Sequence, residues 1–154
     1  MQYQKILVAL DHSPLCTKVF KEAIDIAAHN GATLMLFNCL PIETSYTSFY
    51  EGEFQDFSSL MGEQLEKQAT ETEDWLKNYG EQAREQGIST EWEWKIGEPG
   101  KSIKNKAKNW SADLIVLGRR GLKGLPEMFL GSVSNYIVHH APCSVLIVQE
   151  TKVQ

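Results

Sequence analysis

Three stretches of the chain are uninterrupted runs of apolar residues: Ile6-Leu7-Val8-Ala9-Leu10, Leu114-Ile115-Val116-Leu117 and Val145-Leu146-Ile147-Val148. Short runs of this kind, bounded by polar residues, suit strands covered on both faces. Thr33 to Cys39, rich in Leu and Phe, predicts another strand. Thr90-Glu91-Trp92-Glu93-Trp94-Lys95-Ile96 alternates instead, with both tryptophans and Ile96 on one face, and predicts an edge strand wetted on its other side.

Helical spacing fills the intervals. Val19, Phe20, Ala23, Ile24 and Ala27 recur on one face; Ser13 is placed to cap that helix with Pro14 at its first position, and Asn30-Gly31 ends it. Phe57, Leu60, Met61, Leu65, Ala69, Leu76, Tyr79 and Ala83 mark the stripe of a long helix ending near Gly87. Pro99 opens a short helix with Ile103, Ala107 and Trp110 inward. Val133, Tyr136, Ile137 and His140 share one face of a last helix, stopped by Pro142. Five strands alternating with four helices predict an α/β fold: a single, doubly wound parallel sheet with helices on both faces and right-handed crossovers. Residues 1–154 read as one domain. Its irregular loop at about 41–56 reads as a flexible insertion, while Tyr46, Phe49, Tyr50 and Phe54 also suit a lid or a partner surface.

Composition narrows the class. Of 154 residues 42% are hydrophobic and 23% charged, and Gly and Pro together number 16, which excludes disordered and collagen-like chains. No apolar run approaches the ~18 residues of a membrane span. The run from Ile6 to Leu10 is also too short for the core of a signal peptide. Cys16, Cys39 and Cys143 are odd in number and far apart, which argues against a disulfide framework and for a reducing compartment. The expected location is cytoplasmic.

Net charge is −5, which argues against wholesale binding to nucleic acid or to an anionic membrane. The charges are unevenly spread: Glu43 to Glu91 holds twelve acids and three bases, Lys95 to Lys123 eight bases and two acids. A basic quarter in an acidic chain is able to attract a small anion; two solvated helices of opposite sign explain the same counts.

In open parallel sheets, ligands bind beyond the carboxyl ends of the strands where strand order reverses. The first strand ends at Asp11, a carboxylate suited to a ribose diol. The fourth ends at Gly118, opening the segment Gly118-Arg119-Arg120-Gly121 that runs on to Gly131-Ser132. Glycines after a buried strand let backbone N–H groups approach an anion, and Gly131 and Ser132 open the last helix, where unpaired N–H groups and the dipole favour phosphate. The Ser132 hydroxyl suits either phosphate or its own helix end. Arg119, Arg120 and Lys123 are placed for one or more of them to reach a polyphosphate, although on charge alone each is an ordinary solvent-facing base.

Gly118-x2-Gly121-x9-Gly131-Ser132 resembles the nucleotide-binding signature of the universal stress protein family, in its ATP-binding branch. The resemblance extends to Ile6 through Ser13, Gly97-Glu98-Pro99, Ala112 through Gly118, and His140 through Val148, and leaves out only Pro41 to Asp56. It implies a Rossmann-like five-stranded parallel sheet in the order 3-2-1-4-5, so that strands one and four are neighbours at the reversal. It further implies that Asp11 holds ribose, that Gly118, Gly121, Gly131, Ser132 and Val133 hold phosphates, and that backbone at Cys39 meets adenine. The family often carries a His or aliphatic pair at the end of strand two, where this chain has Asn38-Cys39, and the pair Arg119-Arg120 is more basic than usual. The family also often dimerises through the last strand. Val145 to Val148 is an apolar edge with little charge to guard it, so a homodimer through residues 145–148 is expected.

Other signals carry less. Gly97-Glu98-Pro99-Gly100-Lys101-Ser102 lacks the glycine spacing of a Walker A loop and reads as a strand-to-helix turn. His139 and His140, adjacent on a helix, point ~100° apart and lack further ligands at metal spacing. His140 reads as a core or helix-end residue and His12 as a wall of the crevice. Cys16 and Cys143 read as small core residues. The functional expectation is an adenine-nucleotide module of stress response or signalling, taking ATP, ADP or AMP, with Mg²⁺ on the polyphosphate and no catalytic residue assigned. The alternatives are a slow ATP-hydrolysing or nucleotide-transferring enzyme using His12 or Asp11, and a structural module with an empty crevice.

Overall fold

The computed structural model describes residues 2–41, 54–119 and 131–150, of which 54–61 by backbone alone. Five strands alternate with four helices: β1 (Lys5–Ala9), α1 (Cys16–Asn30), β2 (Thr33–Pro41), α2 (Phe54–Glu85), β3 (Thr90–Gly97), α3 (Pro99–Trp110), β4 (Leu114–Gly118), α4 (Ser132–His140) and β5 (Ser144–Val148). All strand pairs are parallel and the order is β3-β2-β1-β4-β5. The predicted alternation and the order 3-2-1-4-5 both hold.

Side-chain alternation sends each strand's residues to two cores. Ile6, Val8, Leu34, Leu36, Leu114 and Val116 pack against α1 and α2, through Val19, Phe20, Ala23, Ile24, Leu76 and Ala83. Leu7, Met35, Phe37, Ile115 and Leu117 pack on the other face with Ile103, Ala107 and Ile137 of α3 and α4. Each buried large aliphatic or aromatic side chain contributes about 1.5–3 kcal/mol. Together they account for the uniformly apolar runs at the centre of the sheet.

Local chemistry fixes the element ends, not always as the sequence predicts. Helix α1 begins at Cys16 after Leu15, with no side-chain cap; the Asp11 carboxylate, not Ser13, organises the approach by accepting the Ser13 N–H at 3.0 Å. Gly31, at φ 65°, closes α1 in the left-handed region, where glycine carries no Cβ penalty. Strand β2 runs on past Cys39 to Pro41, and α2 starts at Phe54. The remainder of the expected loop, 42–53, lies outside the described residues.

Strand β3 is the edge strand that its alternation predicts, with the tryptophan face the more covered. Trp92 and Trp94 are half-buried, and both indole N–H groups donate to Glu73 of α2, at 3.0 and 3.1 Å. Ile96, on the same parity, is 47% exposed. On the opposite face Glu91 and Lys95 are exposed, and Glu93 is half-buried and pairs with Lys106 of α3. An alternating strand here packs its tryptophans on α2 and leaves its other side largely to solvent, with one ion pair to α3. His140 is exposed and lies against Tyr136, with ring centroids 4.4 Å apart, so of its two expected places it takes the helix end. Cys16 is buried as expected, whereas Cys143 is half-buried.

Candidate functional site

Strands β1 and β4 are neighbours, and the chain leaves them toward opposite sides of the sheet. Their carboxyl ends therefore flank the crevice where order reverses. Asp11, exposed, follows the end of β1. Its Oδ1 accepts the Ser13 N–H, which holds the carboxylate in a tight turn and leaves Oδ2 for another donor. From that turn the chain doubles onto the end of β4. A Cβ placed on Gly118 would lie 3.0 Å from Val19 Cγ2 and 3.5 Å from Leu15 Cβ, so the glycine is what lets the start of α1 lie against the last residue of β4.

The other side of the corner is built by α4. Ser134 is buried, and its hydroxyl donates to the Gly118 carbonyl at 3.2 Å. Gly131 is buried at the helix N-cap with an extended backbone (φ −60°, ψ 161°), and its carbonyl takes the first helical bond, from Asn135 N at 2.9 Å. The N–H groups of Ser132, Val133 and Ser134 thus have no acceptor within the helix and stand at its positive end, beside Gly118. Ser132 is exposed and Val133 half-buried. The arrangement presents bare amides and a hydroxyl, the chemistry that holds a phosphoryl group. Arg119 anchors the same corner through its backbone, donating to the Val148 carbonyl at 2.9 Å. Arg120 and Gly121, also expected at the site, lie outside the described residues.

The end of β2 forms the third wall. Its pairing with β1 stops at Ala9–Phe37, and Leu10 N then donates to Phe37 O at 2.9 Å. Beyond that point Asn38 Nδ2 donates to Leu10 O at 2.8 Å, which ties the residue before Asp11 to β2. Cys39 is half-buried, with its thiol directed to Gly97 O at 3.4 Å. Burial pushes the Cys39 thiol up, with a Ser102 hydrogen bond pulling the other way, which favours the neutral thiol at physiological pH.

The structure thus brings together Asp11, Gly118, Arg119, Gly131, Ser132 and Val133 at the ends of β1 and β4, with Cys39 one strand away. Sequence reading passed over Ser134 and Trp75. Trp75 of α2 stacks on His12 with centroids 4.1 Å apart, which makes His12 one face of an aromatic pair beside Asp11. Ser134, a small polar residue three positions after Gly131, is a signal visible in hindsight. A separate groove of about 520 Å³ between α1 and α2, lined by Phe20, Ile24, Tyr79 and Gln82, follows the helix flanks rather than the strand ends. Among the described residues no helix is long and apolar enough to cross a membrane.

Comparison with known proteins agrees with this architecture. The pattern described as "Universal stress protein family" matches residues 2–149. Universal stress protein Sll1388 of Synechocystis is 51% identical over 153 residues, covering 97% of this chain and 99% of its own. Universal stress protein UspA from Lactobacillus plantarum superposes with a TM-score of 0.80 at 26% identity, covering 96% and 99% of the two chains. Two structures at 23% identity share the fold. One is a universal stress protein in complex with cAMP, at TM-score 0.65 and covering 97% and 98%. The other is an Arabidopsis thaliana member of the family with AMP bound, at TM-score 0.61 and covering 96% and 92%. The chain belongs to the universal stress protein family.

Proposed function

We propose that this protein binds an adenine nucleotide across the crevice between β1 and β4 and acts as a nucleotide-responsive module of stress signalling in the cytoplasm. One observation carries the reading: Asp11 follows β1 and the bare amides of α4 stand beside the end of β4, the two strands at which order reverses, with Leu15 against Gly118 and Ser134 on the Gly118 carbonyl. A carboxylate on one wall suits a ribose diol, and amides with a hydroxyl on the other suit phosphoryl oxygens. The cAMP and AMP complexes of fold relatives support the same ligand class.

ATP is the proposed physiological ligand, with ADP and AMP as its shorter forms. Asp11 takes the ribose, and Gly118, Arg119, Arg120, Gly121, Gly131, Ser132 and Val133 form the phosphate corner, with Cys39 backbone at the base. Among the described residues no three His, Cys, Asp or Glu side chains converge on a metal position. In this reading Mg²⁺ is held mainly by phosphate oxygens and water, to which the Ser132 hydroxyl would add. Calorimetry of nucleotide-free protein with ATP, ADP and AMP tests the reading. Saturable binding of at least one of them is expected, and absence of heat with all three on folded protein would refute it.

Strand β5 is one of the two edges of the sheet, and its Val145, Leu146 and Ile147 are only half-buried. An unguarded apolar edge favours pairing with a second copy. We therefore propose a homodimer through residues 145–148, to be tested by sedimentation at micromolar concentration. A monomer there would contradict it.

A further inference from the structure

On the side of the sheet facing α1 and α2, strand β2 carries Leu34, Leu36, Asn38 and Leu40 in one buried row. Asn38 is 4% exposed, and its Oδ1 has no hydrogen-bond partner among the described residues. A buried amide oxygen without a donor destabilises a fold, and an apolar residue in that row would avoid the loss. The gain lies in the ladder between β1 and β2.

In a parallel strand, alternate residues send both N–H and C=O to the same neighbour. Thr33 N donates to Gln4 O and Phe37 O accepts from Leu10 N, so the odd-numbered residues of β2 face β1; Leu34 N donates to Ser89 O, so the even-numbered ones face β3. The next rung toward β1 belongs to Cys39 N–H and Leu10 O. Among the described residues it is absent, and Leu10 O accepts the Asn38 side chain instead. Cys39 N–H and C=O therefore remain directed toward the space that β1 vacates at Asp11. That peptide edge offers one donor beside one acceptor, the complement of an adenine's N1 and 6-amino group. A 6-oxopurine presents the reverse pattern.

We infer that Asn38 is a positioning residue: by occupying the Leu10 carbonyl it keeps the Cys39 peptide edge open to read the N1 and 6-amino edge of an adenine. For the identity of the ligand this rests on the nucleotide reading above; the open rung does not.

The test uses the full chain freed of nucleotide, as wild type and as Asn38→Leu. Amide exchange comes first. Wild-type Cys39 N–H is expected to exchange about a hundredfold faster than Phe37 N–H, and in Asn38→Leu to slow by about tenfold or more as the rung closes. The second measurement is affinity for AMP and for IMP. Asn38→Leu is expected to bind AMP about tenfold more weakly and to lose most of its preference over IMP, while resisting urea at least as well as wild type. Asn38→His, which retains a ring N–H for Leu10 O, is expected to keep the preference. Wild-type Cys39 protected as strongly as Phe37 overturns the inference even if Asn38→Leu fails to fold, and so does an AMP-to-IMP ratio unchanged in Asn38→Leu. Wild type that binds no adenylate but shows the open rung overturns the nucleotide reading, and the base-reading role with it.

Discussion

The Ser134 hydroxyl donates to the carbonyl of Gly118 at 3.2 Å and joins the first turn of α4 to the last residue of β4. This bond sets where the free amides of α4 stand relative to the strand end. Ser134 is buried and Gly118 half-buried, so removing the hydroxyl would leave the carbonyl without this donor. Ser134→Ala is therefore expected to lower stability by about 1–2 kcal/mol. It is also expected to weaken ATP binding several-fold, as read by urea unfolding and calorimetry on the same preparation. Full stability with full affinity would show that the bond contributes to neither.

Asp11 has two tasks that a pair of substitutions separates. Its Oδ1 accepts the Ser13 N–H at 3.0 Å, and its other oxygen is the one proposed to take the ribose. Asp11→Asn keeps an oxygen for the turn but loses the charge; Asp11→Ala loses both. Both variants are expected to reduce adenylate affinity, by about tenfold or more, because hydrogen bonds to a charged acceptor contribute about 1.5–3 kcal/mol. Only Asp11→Ala should lower the unfolding midpoint appreciably. Equal stability of the two variants would place the turn's order elsewhere.

Gly80 lies inside α2, where alanine would normally stabilise by about 1 kcal/mol. Here a Cβ would sit 2.3 Å from Trp92 Cε3. The indole has little room to retreat: its N–H is held by Glu73 at 3.0 Å, and Arg84 lies over the ring at 4.6 Å. Gly80→Ala is accordingly expected to destabilise by about 1–3 kcal/mol, against helix propensity. Chemical unfolding checks the sign, and a gain in stability would mean that β3 and α2 are less tightly fitted than described.

Much of this was legible in the sequence, and the limits have a physical reason. The runs at Ile6 and Leu114 read directly as buried parallel strands and that at Val145 as an apolar edge strand, and Asp11 and Gly118 could be placed at strand ends because polar residues and glycine interrupt the first two runs. Strand order came from family resemblance, since periodicity does not say which strand neighbours which. What stayed hidden depends on register between distant segments. Asn38 meets Leu10 only because β2 lies beside β1, Trp75 meets His12 only because α2 crosses the first core, and Glu93 is paired because α3 brings Lys106 to it. In each case the sequence shows a polar or aromatic residue out of pattern and not its partner.

The cysteines and Tyr79 give the fold an alkaline limit. Burial pushes the Cys16 thiol above its ordinary 9.0, with the Tyr79 hydrogen bond opposing and the Asp11 charge adding to the rise. Burial likewise raises Cys39 and Cys143, and it raises Tyr79 above its ordinary 10.0. Between its pKa in the unfolded chain and the higher value in the native one, each group keeps in the folded state a proton that the unfolded chain has lost. Native protein then binds more protons than unfolded, so unfolding free energy falls as pH rises. Stability is expected to be insensitive to these groups at about pH 7 and to decline from about pH 9 upward, as the urea midpoint will report. Cys16 and Tyr79 lie within 3.6 Å of each other, so ionising either one charges the surroundings of the second. Cys16→Ala should therefore make the alkaline decline shallower than a single lost thiol would. A midpoint that rises with pH across that range would contradict the assignment of neutral, buried groups.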